Sequence, residues 1–323
     1  MKTPLASLLL ALLVPGTLLS SPEKSDDPAN LPRKRVLFFT KSSGYEHSVI
    51  KDPSKPFTPA PGSAVPGLAF QILKTMGAKN NIEFVFSKDG SLFKPAYLAQ
   101  FDAFFFYTTG DLTEAGTDGN PPMTPEGKAA FLQAIFDGKG FIGTHSATDT
   151  FHSHGGKEMA GDRFREDGDN ADAYIKMIGG EFIKHGKQQQ SHLIVIDPKF
   201  PGIIDVPTDN REMEEWYSMK DFASNLHVLL VQDTSGMTGI EYERPNYPST
   251  WARMYGQGRV FYTNLGHRDD VWTSPMFQSV LAGGIEWAVG CADADVTPNI
   301  DQAAPQANVL PAWPAPTPDA QKK

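Results

Sequence analysis

The chain of 323 residues is 40% hydrophobic and 21% charged, a balance that supports a sizeable buried core and excludes a disordered or multi-spanning membrane protein. A formal net charge of −9 argues against nucleic acid or an anionic membrane surface as partner and leaves neutral small molecules open. Cys291 is the only cysteine, so neither an internal disulfide nor a thiolate metal cluster can form.

Residues 1–21 read as an export signal peptide: Lys2 precedes the apolar run Leu5 to Val14, which ends in Pro15-Gly16-Thr17. That run is too short to span a bilayer. The linker that follows, 22–34, is charged and proline-bearing and offers nothing for an N-terminal helix to pack against. No cysteine follows the run, so no lipid anchor is expected and the cleaved chain has no stable membrane anchor. The predicted destination is periplasmic or extracellular. Leu18 to Ser21 contains no clean small-x-small site, which leaves the cleavage position open.

Residues 35–290 read as one α/β domain with an open, mainly parallel sheet and helices on both faces. Val36 to Thr40 is a continuous apolar run of the kind a central parallel strand needs. Prolines 53, 56, 59, 61 and 66 make the next segment a long loop. A helix then spans Leu68 to Met76, and strands follow at Ile82 to Phe86 and Phe101 to Tyr107. Thr124-Pro125 opens a helix with Phe131, Leu132, Ile135 and Phe136 on one face, and Phe141 to Gly143 is a short fourth strand. Phe151 to Lys187 is rich in Gly, His and charge, with helical spacing only at Tyr174 to Ile178, and reads as a lid or wall of a site. Further strands are expected at His192 to Ile196, Val228 to Val231, Thr250 to Met254 and Arg259 to Thr263, with a closing helix at Phe277 to Val289. Alternation of strands and helices predicts the parallel sheet. The stretch 291–323, with six prolines among Ala, Gln and Asp, reads as a disordered tail.

In such a sheet, ligands bind beyond the carboxyl ends of the strands. Four of those ends are polar: Lys41 to His47, Thr108 to Asp111, Thr144 to Thr150 and Asn264 to Asp270. His47, Asp111, His145, Asp149 and His267 therefore converge on one rim if the sheet is parallel. Imidazole serves either proton transfer or metal ligation. The histidines are dispersed and lack the short spacing of a zinc motif, so both roles stay open. His152, His154 and His227 are expected to be surface or hydrogen-bonded structural residues.

The segments Thr40 to His47, Thr108 to Asp111, Gly143 to Thr150, Glu215 to Tyr217 and Gly258 to His267 are similar, in that order, to the motifs of the ThuA-like (trehalose utilisation) family. The resemblance runs from Arg35 to about Gly290. It implies a fold related to flavodoxins and glutamine amidotransferases, and a role in sugar utilisation. Residues 51–66, Ala115 to Pro122 and Phe151 to Asn170 depart from the family pattern, and all three border the expected rim. Amidotransferases carry a nucleophilic Cys at the strand-to-helix elbow. Here Gly143-Thr144-His145-Ser146-Ala147 stands at that place without a thiol, which excludes Cys-dependent glutamine hydrolysis.

The expected chemistry is acid-base or metal-ligand work by His145 and His267, assisted by Glu215 and His47, with Asp149 orienting a histidine. If a metal is bound, His47, His145 and His267 are its candidate ligands and a divalent ion such as zinc the candidate ion. Glu214 and Glu215 beside Trp216-Tyr217 pair acceptors for hydroxyls with flat apolar rings, as a small-molecule carbohydrate would need. Tyr45 and Trp272 are further ring platforms, and Asp111 is a substrate contact or an Asx cap. Trp216 could equally be core. Hydrolysis, elimination and isomerisation of a sugar or oxidised sugar derivative all fit, and no carboxylate pair marks an ordinary glycosidase. The alternative is a non-catalytic carbohydrate-binding or assembly module. The sequence does not set an oligomeric state.

Overall fold

The computed structural model describes residues 32–51, 67–154 and 162–312. The expected signal peptide, most of the linker, most of the proline-rich loop and residues 313–323 of the expected tail lie outside the described residues.

The strands are, in chain order, β1 (Lys34–Phe39), β2 (Ile82–Ser87), β3 (Ala103–Phe106), β4 (Gly140–Thr144), β5 (Glu181–His185), β6 (Gln189–Ser191), β7 (Leu193–Val195), β8 (Glu212–Glu214), β9 (Tyr217–Lys220), β10 (His227–Gln232), β11 (Tyr247–Tyr255) and β12 (Gly258–Thr263). The helices are α1 (Leu68–Lys79), α2 (Pro95–Leu98), α3 (Pro125–Phe136), α4 (Ala173–Ile178), α5 (Asp269–Thr273), α6 (Pro275–Ala288) and α7 (Ile300–Ala303). An eight-stranded sheet has the order β2-β1-β3-β4-β12-β11-β10-β7. Strands β2 to β12 in that order are parallel, and β11, β10 and β7 extend the sheet antiparallel.

The central residues of the parallel strands are apolar because both faces are covered. Leu37, Phe39, Phe104, Phe106 and Phe141 point into one core layer, with Phe131 and Ile135 of α3 and Tyr174 and Ile178 of α4. Val36, Phe38, Phe105, Ile142 and Phe261 point into the other, with Leu73 of α1 and Leu281 and Ile285 of α6. Alternate residues thus serve opposite faces, as a strand's period of two requires. Thr124 accepts the Gly127 N–H at 3.0 Å and caps α3, with Pro125 in its first turn.

Two expectations need correction. The chain beyond Cys291 is ordered as far as residue 312: Ile300, Ala304 and Ala307 are buried in the core layer of α3 and α4. Asn299 mimics a neighbouring strand, accepting the Val228 N–H at 2.6 Å and donating to the Val228 carbonyl at 3.1 Å. Asn308 does the same for Phe222. Apolar periodicity is weak here because the segment docks through side-chain amides and single small residues. The second correction is that the expected lid region and its sequel contain β5, β6, β8 and β9, which form two small antiparallel pairs, β5-β9 and β6-β8. No helix among the described residues is long and apolar enough to cross a membrane.

Candidate functional site

The register of the central sheet sets the site. Thr144, the last residue of β4, pairs with Thr263, the last of β12, so the two chains leave the sheet side by side. His145 turns at once with φ +43°, in the left-handed region, and a short 3-10 helix (His145–Asp149) follows. A non-glycine residue there carries strain on the order of 1–3 kcal/mol, which persists only where its surroundings enforce it. The Tyr262 hydroxyl donates to the His145 carbonyl at 2.8 Å, and that of Tyr174 to the Ala147 carbonyl at 2.9 Å. The strain aims the buried His145 ring along the rim, over Tyr217 with ring centroids 4.1 Å apart.

His267 is fixed by a rigid turn. The Asn264 side chain exchanges two hydrogen bonds with the backbone of Tyr217. Gly266 has φ +120°, and a Cβ there would lie 2.8 Å from Thr144 Oγ1, so only glycine fits. Its carbonyl accepts from Tyr107 Oη at 2.8 Å and Trp272 Nε1 at 2.7 Å. Glu215 arrives between β8 and β9. His47 closes the group from the loop after β1, which is bolted down by the Lys88–Glu46 ion pair at 2.5 Å and by buried Lys41, donating to the Asn120 carbonyl at 2.9 Å.

The four side chains meet: one ligating atom each of His47, His145, Glu215 and His267 lies within 4.8 Å of all the others. His267 Nδ1 is 3.1 Å from Glu215 Oε2 and 3.2 Å from His145 Nε2, which is 3.6 Å from Glu215 Oε2. His145 Nδ1 lies 3.2 Å from the Asn264 carbonyl. A carbonyl only accepts, so Nδ1 carries the proton and Nε2 turns its lone pair into the cluster. His47 Nδ1 is buried with no hydrogen-bond partner. The cluster is therefore rich in lone pairs and short of protons.

Burial, with the neighbouring His267, pushes the His145 imidazole down to about 4. His47 is held well below its usual value by burial and by His145 and His267. Burial raises Glu215, but its contacts with His145 and His267 outweigh that and hold it below the carboxylate range. Burial keeps the His145 ring neutral at pH 7, so it faces the carboxylate through a lone pair.

Of the other predicted residues, Tyr45 is exposed, its ring edge-on to His47. Tyr217 lies buried beneath His145. Trp216 and Trp272 are fully buried, their indoles donating to the carbonyls of Gln189 and Gly266, and have no face left for a sugar ring. Asp111 caps its own turn through the Thr113 N–H and hydroxyl. Asp149 orients a histidine, but it is His152, at 2.6 Å, not a member of the cluster. Glu214 is fully buried and accepts backbone N–H groups instead of meeting ligand hydroxyls. Burial pushes its carboxyl up to about 7 against the pull of those N–H groups.

Sequence reasoning missed His185, at the end of β5, whose Nδ1 is 3.4 Å from Glu215 Oε1. Only the pairing of β5 with β9 brings it there, and neither strand has a readable apolar period. The mouth is a cavity of about 390 Å³ lined by Ser48, Gln188, His267, Arg268, Asp269 and Asp270. A larger cavity of about 660 Å³ lies at the amino ends of the strands, among Leu98, Ala130 and Ala288. Its cations are already engaged, Lys34 by Asp102, Arg259 by Asp293 and Lys139 by the carbonyls of Ala99 and Phe101.

A family model described as ThuA, trehalose utilisation, matches residues 35–288. The chain belongs to the ThuA family. Membership places it, at the level of the family, in carbohydrate utilisation. A ThuA-like protein of Bacteroides uniformis superposes with a TM-score of 0.56 at 17% identity, covering 80% of this chain and 93% of that one. Another, from Parabacteroides merdae, gives 0.52 at 17% identity, covering 87% and 97%. At such identity the likeness carries the ThuA fold alone. Compared with curated proteins, the sequence finds no match.

Proposed function

We propose that this ThuA protein is an exported enzyme acting on a sugar or oxidised sugar derivative at a divalent-metal centre formed by His145, Glu215, His267 and His47. One observation carries the reading: His47, His145, Glu215 and His267 each bring a ligating atom within 4.8 Å of the others, and His47 Nδ1 is buried without a hydrogen-bond partner. A borderline cation such as zinc suits a mixed imidazole-carboxylate set. When bound, the ion supplies Lewis acidity toward a substrate oxygen. The neutral imidazole, which burial favours at His145 and His47, is the form that ligates. The Asn264 carbonyl fixes the His145 tautomer, as hydrogen bonds to the other ring nitrogen do for metal-ligating histidines.

The remaining parts suit a polyhydroxylated ligand. Asp269, Ser48 and Gln188 line the mouth beside His267 and supply hydroxyl acceptors and donors, and exposed Tyr45 supplies a ring face. Hydrolysis, elimination and isomerisation are the reaction classes that fit. Burial of Trp216 and Trp272 removes two platforms that a non-catalytic aromatic groove would use, which favours an enzyme over a binding module. Export rests on Lys2 and the apolar run Leu5 to Val14.

The test is elemental analysis of protein purified from its native cell, joined to a turnover screen of sugars and keto-sugars. Near-stoichiometric metal with chelator-sensitive turnover supports the proposal, and a mature N-terminus at about residues 20–30 supports export. Metal-free protein that binds sugars without changing them sinks the enzyme reading in favour of the binding module.

A further inference from the structure

We infer that Glu214 is a positioning residue of this centre, a buried carboxyl group that sets the spacing of Glu215 and His267. The inference rests on the metal reading above. Glu214 is the last residue of β8 and is fully buried. Its Oε1 accepts the Glu215 N–H at 2.8 Å, and its Oε2 accepts the N–H groups of Gly266 at 2.9 Å and His267 at 3.1 Å.

One carboxylate thus ties together the backbones of two proposed ligands that are 52 residues apart in sequence and belong to no common sheet pairing. The three bonds use both oxygens as acceptors, which an ionised carboxylate does and an amide cannot, since its NH2 end would face an N–H donor. The turn has no slack to compensate: Gly266 is pinned on its carbonyl side by Tyr107 and Trp272, and a Cβ there would press on Thr144. Loss of one arm of Glu214 therefore moves either Glu215 or His267 relative to His145. A mixed donor set tolerates little such movement, and outer-shell partners of metal ligands commonly change affinity by about 10–100-fold.

The experiment is Co2+ titration of the full mature chain, read by visible absorption and by calorimetry, for wild type, Glu214→Gln and Glu214→Asp. The expected result is Co2+ affinity weakened by about 10–100-fold in Glu214→Gln with an altered ligand-field spectrum. A role confined to stability would lower the melting temperature while leaving the affinity and spectrum of the folded fraction unchanged, and that outcome overturns the inference. If the glutamine variant does not fold, Glu214→Asp, which keeps both acceptors and the charge at shorter reach, gives the same readout: weakened affinity supports the proposal and wild-type affinity overturns it. Wild type that takes up no Co2+ defeats the metal reading itself, whereas normal wild-type binding with a normal glutamine variant defeats only the role of Glu214.

Discussion

Two clusters of ionisable groups draw on the two ends of the 3-10 turn His145–Asp149, and they are built on opposite principles. In one, His152 sits between Asp149 at 2.6 Å and Glu181 at 2.8 Å, Ser153 adds a bond to Glu181, and buried Lys220 pairs with Asp167 at 2.6 Å. Asp167, Glu181 and Asp221 could in shape surround a cation, but the Lys220 ammonium already serves that purpose. In the other, three imidazoles and one carboxylate face each other with no cationic side chain among them. A buried polar group left without a partner is expensive, so a complete network reads as structure and an incomplete one as a place for a ligand.

The largest expected effect tests that contrast directly. His145→Ala and His267→Ala should each lower metal affinity by more than about 100-fold and abolish turnover, while the metal-free protein loses no more than about 1–3 kcal/mol, the cost of leaving the Asn264 carbonyl without its His145 partner. Metal analysis, kinetics and thermal melts on the same samples decide it. Early melting with full activity in the folded fraction would make these histidines structural.

His152→Ala should do the reverse. Removing the cation strands Asp149 and Glu181, which costs about 3–5 kcal/mol in urea unfolding, while the surviving folded protein keeps its metal stoichiometry. A stable variant that loses metal would merge the two clusters into one site.

Truncation after Asp293 should cost about 2–4 kcal/mol, since it exposes the pocket of Ile300 and frees the backbone groups held by Asn299 and Asn308. Unchanged urea midpoints would show that this docked segment contributes nothing to stability.

Titration should separate the clusters by sign. Burial lowers the His152 value, yet hydrogen bonds to Asp149 and Glu181 outweigh it and raise the ring to about 9. Its stabilisation is complete below the unfolded value near 6.5 and is lost as pH climbs through 9, at most about 3 kcal/mol. His145, depressed to about 4, contributes the opposite limb: stability present above 6.5 and lost as pH falls toward 4. Melting curves from pH 4 to 10 should thus decline at both ends, and His152→Ala should flatten only the alkaline one. The smallest effect is expected for Tyr45→Ala: a KM raised by about 5-fold at unchanged kcat and unchanged stability, as for an exposed ring that stacks on ligand.

How much of this was legible in the chain follows from range. Runs such as Val36 to Phe39 and Phe104 to Phe106 announce a sheet covered on both faces, because each residue's burial depends only on strand period and a continuous apolar string satisfies both layers. The polar strand ends then place His47, His145 and His267 on one rim, given parallel strands. By itself the sequence determined the parallel half of the sheet, its helices and the rim. Only tertiary structure decided that Asp149 serves His152, that Trp216 and Trp272 are core, that His185 reaches Glu215, that Glu214 accepts the N–H groups of Glu215, Gly266 and His267, and that the proline-bearing chain as far as residue 312 is docked. Apart from Asp149 with His152, Trp272 with Gly266 and Glu214 with Glu215, which are near in sequence, those facts depend on short antiparallel pairs and side-chain contacts spanning 27 to 86 residues. Such contacts impose geometry on single residues and leave no period along the chain.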